Sequence, residues 1–189
     1  MRIGLFFGSF NPIHQGHLIL SQFILEQAKL DEIWFVVSPQ NPLKSMKDLY
    51  PENHRLEMVK LSIKDQPRFK ACDIEFQMPR PSYTYNTLLA LGKKHPKDEF
   101  ALILGSDNLQ HFDKWKDHER ILLEYELIVY NRENNAGGDF SKNQKVRMIK
   151  GPMLNISSTQ IRGYLRIGRS IKFMVPKEVE EYLETHLKE

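Results

Sequence analysis

Two histidines three residues apart, His14 and His17, lie in the stretch Gly8-Ser9-Phe10-Asn11-Pro12-Ile13-His14-Gln15-Gly16-His17. Paired imidazoles beside a Gly- and Pro-bounded turn can donate hydrogen bonds to phosphoryl oxygens. The turn runs into a helical pattern, and a helix start offers unpaired N–H groups and the positive end of its dipole to an anion. Gly8 and Gly16 would let backbone approach a ligand closely. Near the other end of the chain stands Ile156-Ser157-Ser158-Thr159-Gln160-Ile161-Arg162. Its hydroxyls and N–H groups can cap a helix and meet phosphate oxygens. Arg162, about one turn in, falls on the side of Ser158 and Thr159 and carries a fork of donors. Each group also has a plainer reading. A histidine at a helix start is often a surface or capping residue, and Ser-Ser-Thr is an ordinary N-cap. Metal ligation lacks support: the remaining histidines are scattered, no zincin glutamate accompanies the pair, and Cys72 is the single cysteine.

These groups need elements to hold them. Short β-rich runs at residues 3–8, 33–38, 69–76, 100–105 and 126–131 alternate with helical patterns at 16–29, 53–64, 84–95 and 117–123. A sixth strand at 145–150 follows the loop-like stretch 134–143. Helices over 157–165 and 176–187, the latter with Pro176 in its first position, close the chain. Continuous apolar strands suit a sheet covered on both faces, and strand–helix alternation predicts right-handed parallel crossovers. The expected fold is α/β: a doubly wound, mostly parallel, Rossmann-like sheet. The His14–His17 loop then leaves the first strand at its carboxyl end, where such sheets bind ligands.

The chain has 189 residues, which fits one domain spanning 1–189. Its net charge of +3, from 27 Lys plus Arg against 24 Asp plus Glu, does not announce a nucleic-acid partner. Apolar runs are far too short to span a membrane, and no leader pattern precedes the first strand, so the expected location is the cytoplasm. Composition does not read out an oligomeric state.

GSFNPIHQGH resembles the first signature of the HxGH nucleotidyltransferase superfamily, with Asn11 where many relatives carry Asp, and ISSTQIR resembles its second. Between them, Pro81-Ser82-Tyr83-Thr84-Tyr85-Asn86-Thr87-Leu88 is similar to the SYTxDTL segment of bacterial nicotinate-mononucleotide adenylyltransferases, with Asn86 for Asp. Leu104-Gly105-Ser106-Asp107-Asn108-Leu109 followed by Trp115 resembles that family's GxD…W segment, and Arg132 matches an arginine there. Pro39-Gln40-Asn41-Pro42-Leu43-Lys44 resembles its Pro-rich loop; Leu43 replaces a histidine, so only Lys44 carries over.

The resemblance implies transfer of AMP from ATP to nicotinate mononucleotide, giving the deamido dinucleotide and pyrophosphate in NAD biosynthesis. It implies an ATP site at Gly8, Ser9, Phe10, His14, His17, Ser157, Ser158, Thr159 and Arg162. The pyridine nucleotide would meet Thr84, Tyr85, Gly105, Asp107, Trp115, Lys116 and Arg132. His17 would serve the α-phosphate, His14 its neighbours, and Arg162 with Lys44 the β- and γ-phosphates. Mg²⁺ would ride on the triphosphate, with no protein ligand named. The residues alone leave alternatives: Trp115 as a packing aromatic, Asp107 as an N-cap, Lys44 and Arg132 as solvated charges. A phosphopantetheine adenylyltransferase would share the outer motifs but not Trp115 or the SYTYNTL segment. A dinucleotide-dependent oxidoreductase would need GxGxxG after the first strand, which is absent.

Overall fold

In the computed structural model, which describes residues 1–40, 48–131 and 138–187, six strands form one sheet. They are β1 (Arg2–Gly8), β2 (Glu32–Val37), β3 (Phe69–Cys72), β4 (Glu99–Gly105), β5 (Glu126–Tyr130) and β6 (Val146–Ile149). Their order is β3-β2-β1-β4-β5-β6 and every pairing is parallel. This is the doubly wound order expected of such alternation, with the switch point between β1 and β4. The helices are α1 (Gln15–Gln27), α2 (Glu52–Ile63), α3 (Thr84–Lys94), α4 (Ser106–Leu109), α5 (His118–Glu124), α6 (Ser158–Arg166) and α7 (Lys177–His186).

Strand periodicity explains why the sheet is covered twice. Ile3 and Leu5 of β1, Leu102 and Leu104 of β4, and Leu127 and Val129 of β5 point to one core with Leu88 and Phe112. Phe6, Ile103 and Ile128 point to the opposite core, where Ile24, Met58, Ile161 and Val179 bring α1, α2, α6 and α7 against the sheet. No helix among the described residues is long and apolar enough to cross a membrane.

Three expectations shift. The third strand was expected to run to Phe76 but ends at Cys72, and Ile74–Gln77 is a 3-10 turn. The turn carries Glu75 inward, where its carboxylate accepts bonds from Ser82 and Thr87; a strand would have left it without those donors. The sheet is wholly rather than mostly parallel. Pro176 precedes the first turn of α7 instead of occupying it.

Candidate active site

The carboxyl ends of β1 and β4 open onto a cleft of about 440 Å³. Its wall includes Gly8, Ser9, Phe10, His14, His17, Gly105, Trp115, Ser157, Ser158, Thr159 and Arg162, so residues more than 140 positions apart in sequence share one surface. Direct bonds join the two outer motifs. Ser158 Oγ donates to the carbonyl of Pro12 at 2.9 Å, and Arg162 Nη1 to that of Asn11 at 2.7 Å. Ser157 caps α6 by accepting from Gln160 N–H. The buried Nε of Arg162 has no hydrogen-bond partner among the described residues.

His14 is 3% exposed and stacks on His17, with ring centroids 3.7 Å apart. His17 Nδ1 accepts from the His14 backbone N–H at 3.2 Å. An accepting Nδ1 places the proton of the neutral ring on Nε2, which makes Nε2 the donor nitrogen. Phe10 and Phe6 press edge-on against the His17 ring, at 5.2 and 6.0 Å, and limit its rotation. Phe10 itself adopts a φ of 45°. A bulky residue in the left-handed region costs about 1–3 kcal/mol and persists only where its surroundings dictate it. The glycines have reasons other than ligand approach. A Cβ at Gly8 would meet the Phe10 ring at 2.8 Å, and one at Gly16 would meet the His14 ring at 3.0 Å.

Two polar side chains tie this loop to its surroundings. Asn11, buried, donates from Nδ2 to the carbonyl of Asp48 at 2.7 Å, and its Oδ1 accepts from Tyr50 N–H at 3.0 Å. A carboxylate here could accept but not donate, so Asn11 in place of the family's usual Asp has a local reason. Arg55 of α2, 0% exposed, donates four bonds to carbonyls at the ends of three segments. Burial pulls its pKa down from the ordinary arginine value to about 10, against Glu52, so the guanidinium stays charged at neutral pH.

A second lobe of about 590 Å³ borders the same histidines. It is lined by His14, His17, Asp107, Tyr130 and the run from Pro152 to Ser157. Asp107 therefore lies in a different lobe from Trp115. Trp115 packs against Phe112 at 5.4 Å with its remaining surface on the cleft.

Thr84, Tyr85 and Lys116 do not line the cleft. Thr84 opens α3. Lys116 lies over the Tyr83 ring at 4.5 Å, which brings the segment after Trp115 to the start of α3. Tyr85 is in the core, its hydroxyl donating to Glu124 at 3.0 Å. Lys44 and Arg132 lie outside the described residues. Sequence reading passed over Arg55, Glu75, Asn108 and Tyr130. Of these Asn108 stood inside the quoted Leu104–Leu109 segment, and Glu75 left a trace as a carboxylate between the apolar Ile74 and Phe76.

A six-stranded parallel sheet of this order, with a motif-lined cleft at its switch point, defines a Rossmann-like nucleotidyltransferase fold. The family model described as cytidylyltransferase-like matches residues 5–164. A relative from Cytophaga hutchinsonii, named "Probable nicotinate-nucleotide adenylyltransferase", is 48% identical over 183 residues, covering 97% of this chain and 95% of its own. One of the same name from Bacteroides thetaiotaomicron is 40% identical over 189 residues, covering 100% and 94%. The solved structure of Plasmodium falciparum nicotinic acid mononucleotide adenylyltransferase complexed with NaAD superposes with a TM-score of 0.81 at 26% identity, over 97% of this chain and 94% of that one. The chain belongs to the cytidylyltransferase-like family of nucleotidyltransferases, within its nicotinate-nucleotide adenylyltransferase group.

Proposed function

We infer that this protein is the nicotinate-nucleotide adenylyltransferase of an NAD biosynthetic route: it transfers AMP from ATP to nicotinate mononucleotide, releasing pyrophosphate. One observation carries the reading: the two phosphate motifs, bonded to each other through Ser158–Pro12 and Arg162–Asn11, close on a single cleft that Trp115 also enters.

The chemistry asks little of the protein beyond placement. The acceptor's phosphate is already anionic, so no general base is required. Its oxygen forms the new bond at the α-phosphorus while the bond to the pyrophosphate oxygen breaks in line. Work of this kind is positioning and charge stabilisation. His17, donating from Nε2, meets oxygens of the α-phosphate where charge develops, and His14 meets the neighbouring phosphates. Arg162, supported by Lys44, holds the β- and γ-phosphates beside the N–H groups of α6 and the hydroxyls of Ser157, Ser158 and Thr159. Gly8, Ser9 and Phe10 form the floor. Trp115 stacks on the pyridinium, with Gly105 beside it, Thr84 and Lys116 serve the same nucleotide from outside the cleft lining, and Arg132 is assigned to that nucleotide by its place in the motif. Tyr85 acts from the core by holding α3. Asp107 takes ribose hydroxyls of whichever nucleoside fills the second lobe.

Mg²⁺ enters as part of the ATP substrate, carried on its phosphates. The whole span 1–189 acts as one nucleotidyltransferase domain, in the cytoplasm, without nucleic acid or membrane. The test is incubation with MgATP and a panel of acceptors. Nicotinate mononucleotide should be converted to the deamido dinucleotide with equimolar pyrophosphate. Consumption of phosphopantetheine alone would overturn the substrate assignment.

A further inference from the structure

The guanidinium of Arg55 lies beneath the phosphate loop, on the side away from solvent. Its Nη1 donates to the carbonyl of Ser9 at 2.6 Å and to that of Ser38 at 2.7 Å; Nη2 donates to Pro39 at 3.0 Å and Nε to Tyr50 at 2.8 Å. Ser9 follows β1, Ser38 and Pro39 follow β2, and Tyr50 precedes α2, the helix that carries Arg55. Among the described residues no carboxylate shares these bonds. A buried ion pair would have neutralised the charge; four carbonyls instead solvate it and are themselves held in place.

The Ser9 bond bears on the site most directly. In a planar trans peptide the C=O and the following N–H point in opposite directions. Drawing the Ser9 carbonyl down to Arg55 therefore turns the Phe10 N–H the other way, and Phe10 lines the cleft. Phe10 is also the residue with φ of 45° whose ring bounds His17. The far end of the same turn is held by Arg162 on the Asn11 carbonyl. Tyr50 is gripped on both sides of its residue, its N–H by Asn11 and its carbonyl by Arg55, so α2 and the turn move as one body.

We propose that Arg55 is a positioning residue for adenylyl transfer, setting the Ser9–Phe10 peptide and, through the Phe10 ring, the orientation of His17. It touches no substrate. The proposal rests on the reading of the cleft as the adenylyl-transfer site.

Lys in its place keeps the charge but offers three donors from one point, which cannot reach four carbonyls spread around a planar fork. The test compares Arg55→Lys with Val59→Ala, a truncation of a fully buried core residue on the same helix. Both are assayed well below their melting temperatures, with kcat corrected for the folded fraction. For Arg55→Lys kcat should fall on the order of 10²-fold, the scale of an ångström-level misplacement, with KM for ATP moving less than about fivefold. For Val59→Ala kcat should stay near wild type although the protein melts earlier. Arg55→Gln, which removes the buried charge and keeps a donor, covers a failure of the Lys variant to fold and should show the same loss in kcat.

A folded Arg55→Lys enzyme with kcat within about threefold of wild type would overturn the proposal. So would equal losses of kcat in Arg55→Lys and Val59→Ala. If neither Arg55 variant folds, the residue is a requirement of folding and the positioning role is rejected. Wild-type protein without adenylyl transfer would instead defeat the reading of the cleft.

Discussion

The proposed phosphate side and the proposed pyridine side of this molecule are built differently. On the proposed phosphate side two segments from opposite ends of the chain are bonded to each other, the first of them also to the buried Arg55, and their side chains share one wall. On the proposed pyridine side the matching residues are dispersed: Trp115 lines the cleft, Thr84 and Lys116 are not part of its lining, and Tyr85 faces the core. Phosphate is held by backbone and by side chains set by backbone, so its site follows from the sheet and helix ends that every such fold supplies. Recognition of a particular ring depends on loops attached to that frame. Damage to the phosphate side should therefore strike the chemical step. Damage to the pyridine side should strike one substrate.

The largest effect is expected at His17. His17→Ala should lower kcat by roughly 10²- to 10³-fold, the loss of one oriented donor to a developing charge. Thermal stability should change little, since His17 is partly exposed and its bond to the His14 N–H lies at a helix start. Steady-state kinetics with a melting curve on the same sample separates the two. Near-normal turnover would mean that the stacked pair is a cap and nothing more.

What could be read in advance divides along the same line. Strand–helix alternation was enough for the sheet, and both outer motifs were legible because their residue types are grouped at element ends. Arg55 was not legible. An arginine in an amphipathic helical stretch reads as a solvated charge, and only the folded chain reveals four carbonyls converging on it. Glu75 misled in the opposite way: apolar neighbours suggested a strand, while the demand of a buried carboxylate for donors produced a turn. Tyr85 sits within a motif, yet helix periodicity decides which side of α3 it faces, and that side is the core.

Next in size is a reciprocal pair. Trp115→Ala should reduce kcat/KM for nicotinate mononucleotide by about 10- to 10²-fold, the equivalent of losing a stacked ring worth some 1–3 kcal/mol, with little change in KM for ATP. Asp107 lies in the other lobe, and Ser157 of the ATP motif borders both. Asp107→Ala should raise KM for ATP by roughly tenfold, one charge-assisted hydrogen bond, and spare the mononucleotide. If Asp107→Ala instead weakens the mononucleotide, the second lobe belongs to the pyridine nucleoside and the assignment of lobes is reversed.

A comparison of acid with amide follows. The contact of Lys116 with the Tyr83 ring brings the start of α3 alongside the segment after Trp115. N–H groups from the first turn of α3 and from that segment are donors only, which suits a ring carboxylate and leaves an amide NH₂ facing donors. A mismatch of this kind costs about 1–3 kcal/mol, so kcat/KM should favour nicotinate over nicotinamide mononucleotide by at least about tenfold. Equal efficiencies would remove the acid-selective reading and leave adenylyl transfer untouched.

The smallest effect is expected at Glu75, beneath the pyridine segment. Its carboxylate, on a residue 2% exposed, accepts from Ser82 Oγ at 2.7 Å and Thr87 Oγ1 at 2.8 Å. Those two hydroxyls flank Thr84, so the carboxylate holds the start of α3 as Arg55 holds the phosphate loop. Glu75→Gln keeps one accepting oxygen and turns an NH₂ toward the other hydroxyl, which must rotate to accept. Thr87 Oγ1 can do so by giving its proton to the Tyr83 carbonyl, already 3.3 Å away, so the change is partly absorbed. What remains is about one neutral hydrogen bond, roughly 0.5–1.5 kcal/mol. KM for nicotinate mononucleotide should therefore rise about threefold to tenfold while KM for ATP and the melting temperature hold nearly constant. An equal rise in both KM values would mean that Glu75 supports the fold at large, and the separation of the two sides would fail at its weakest point.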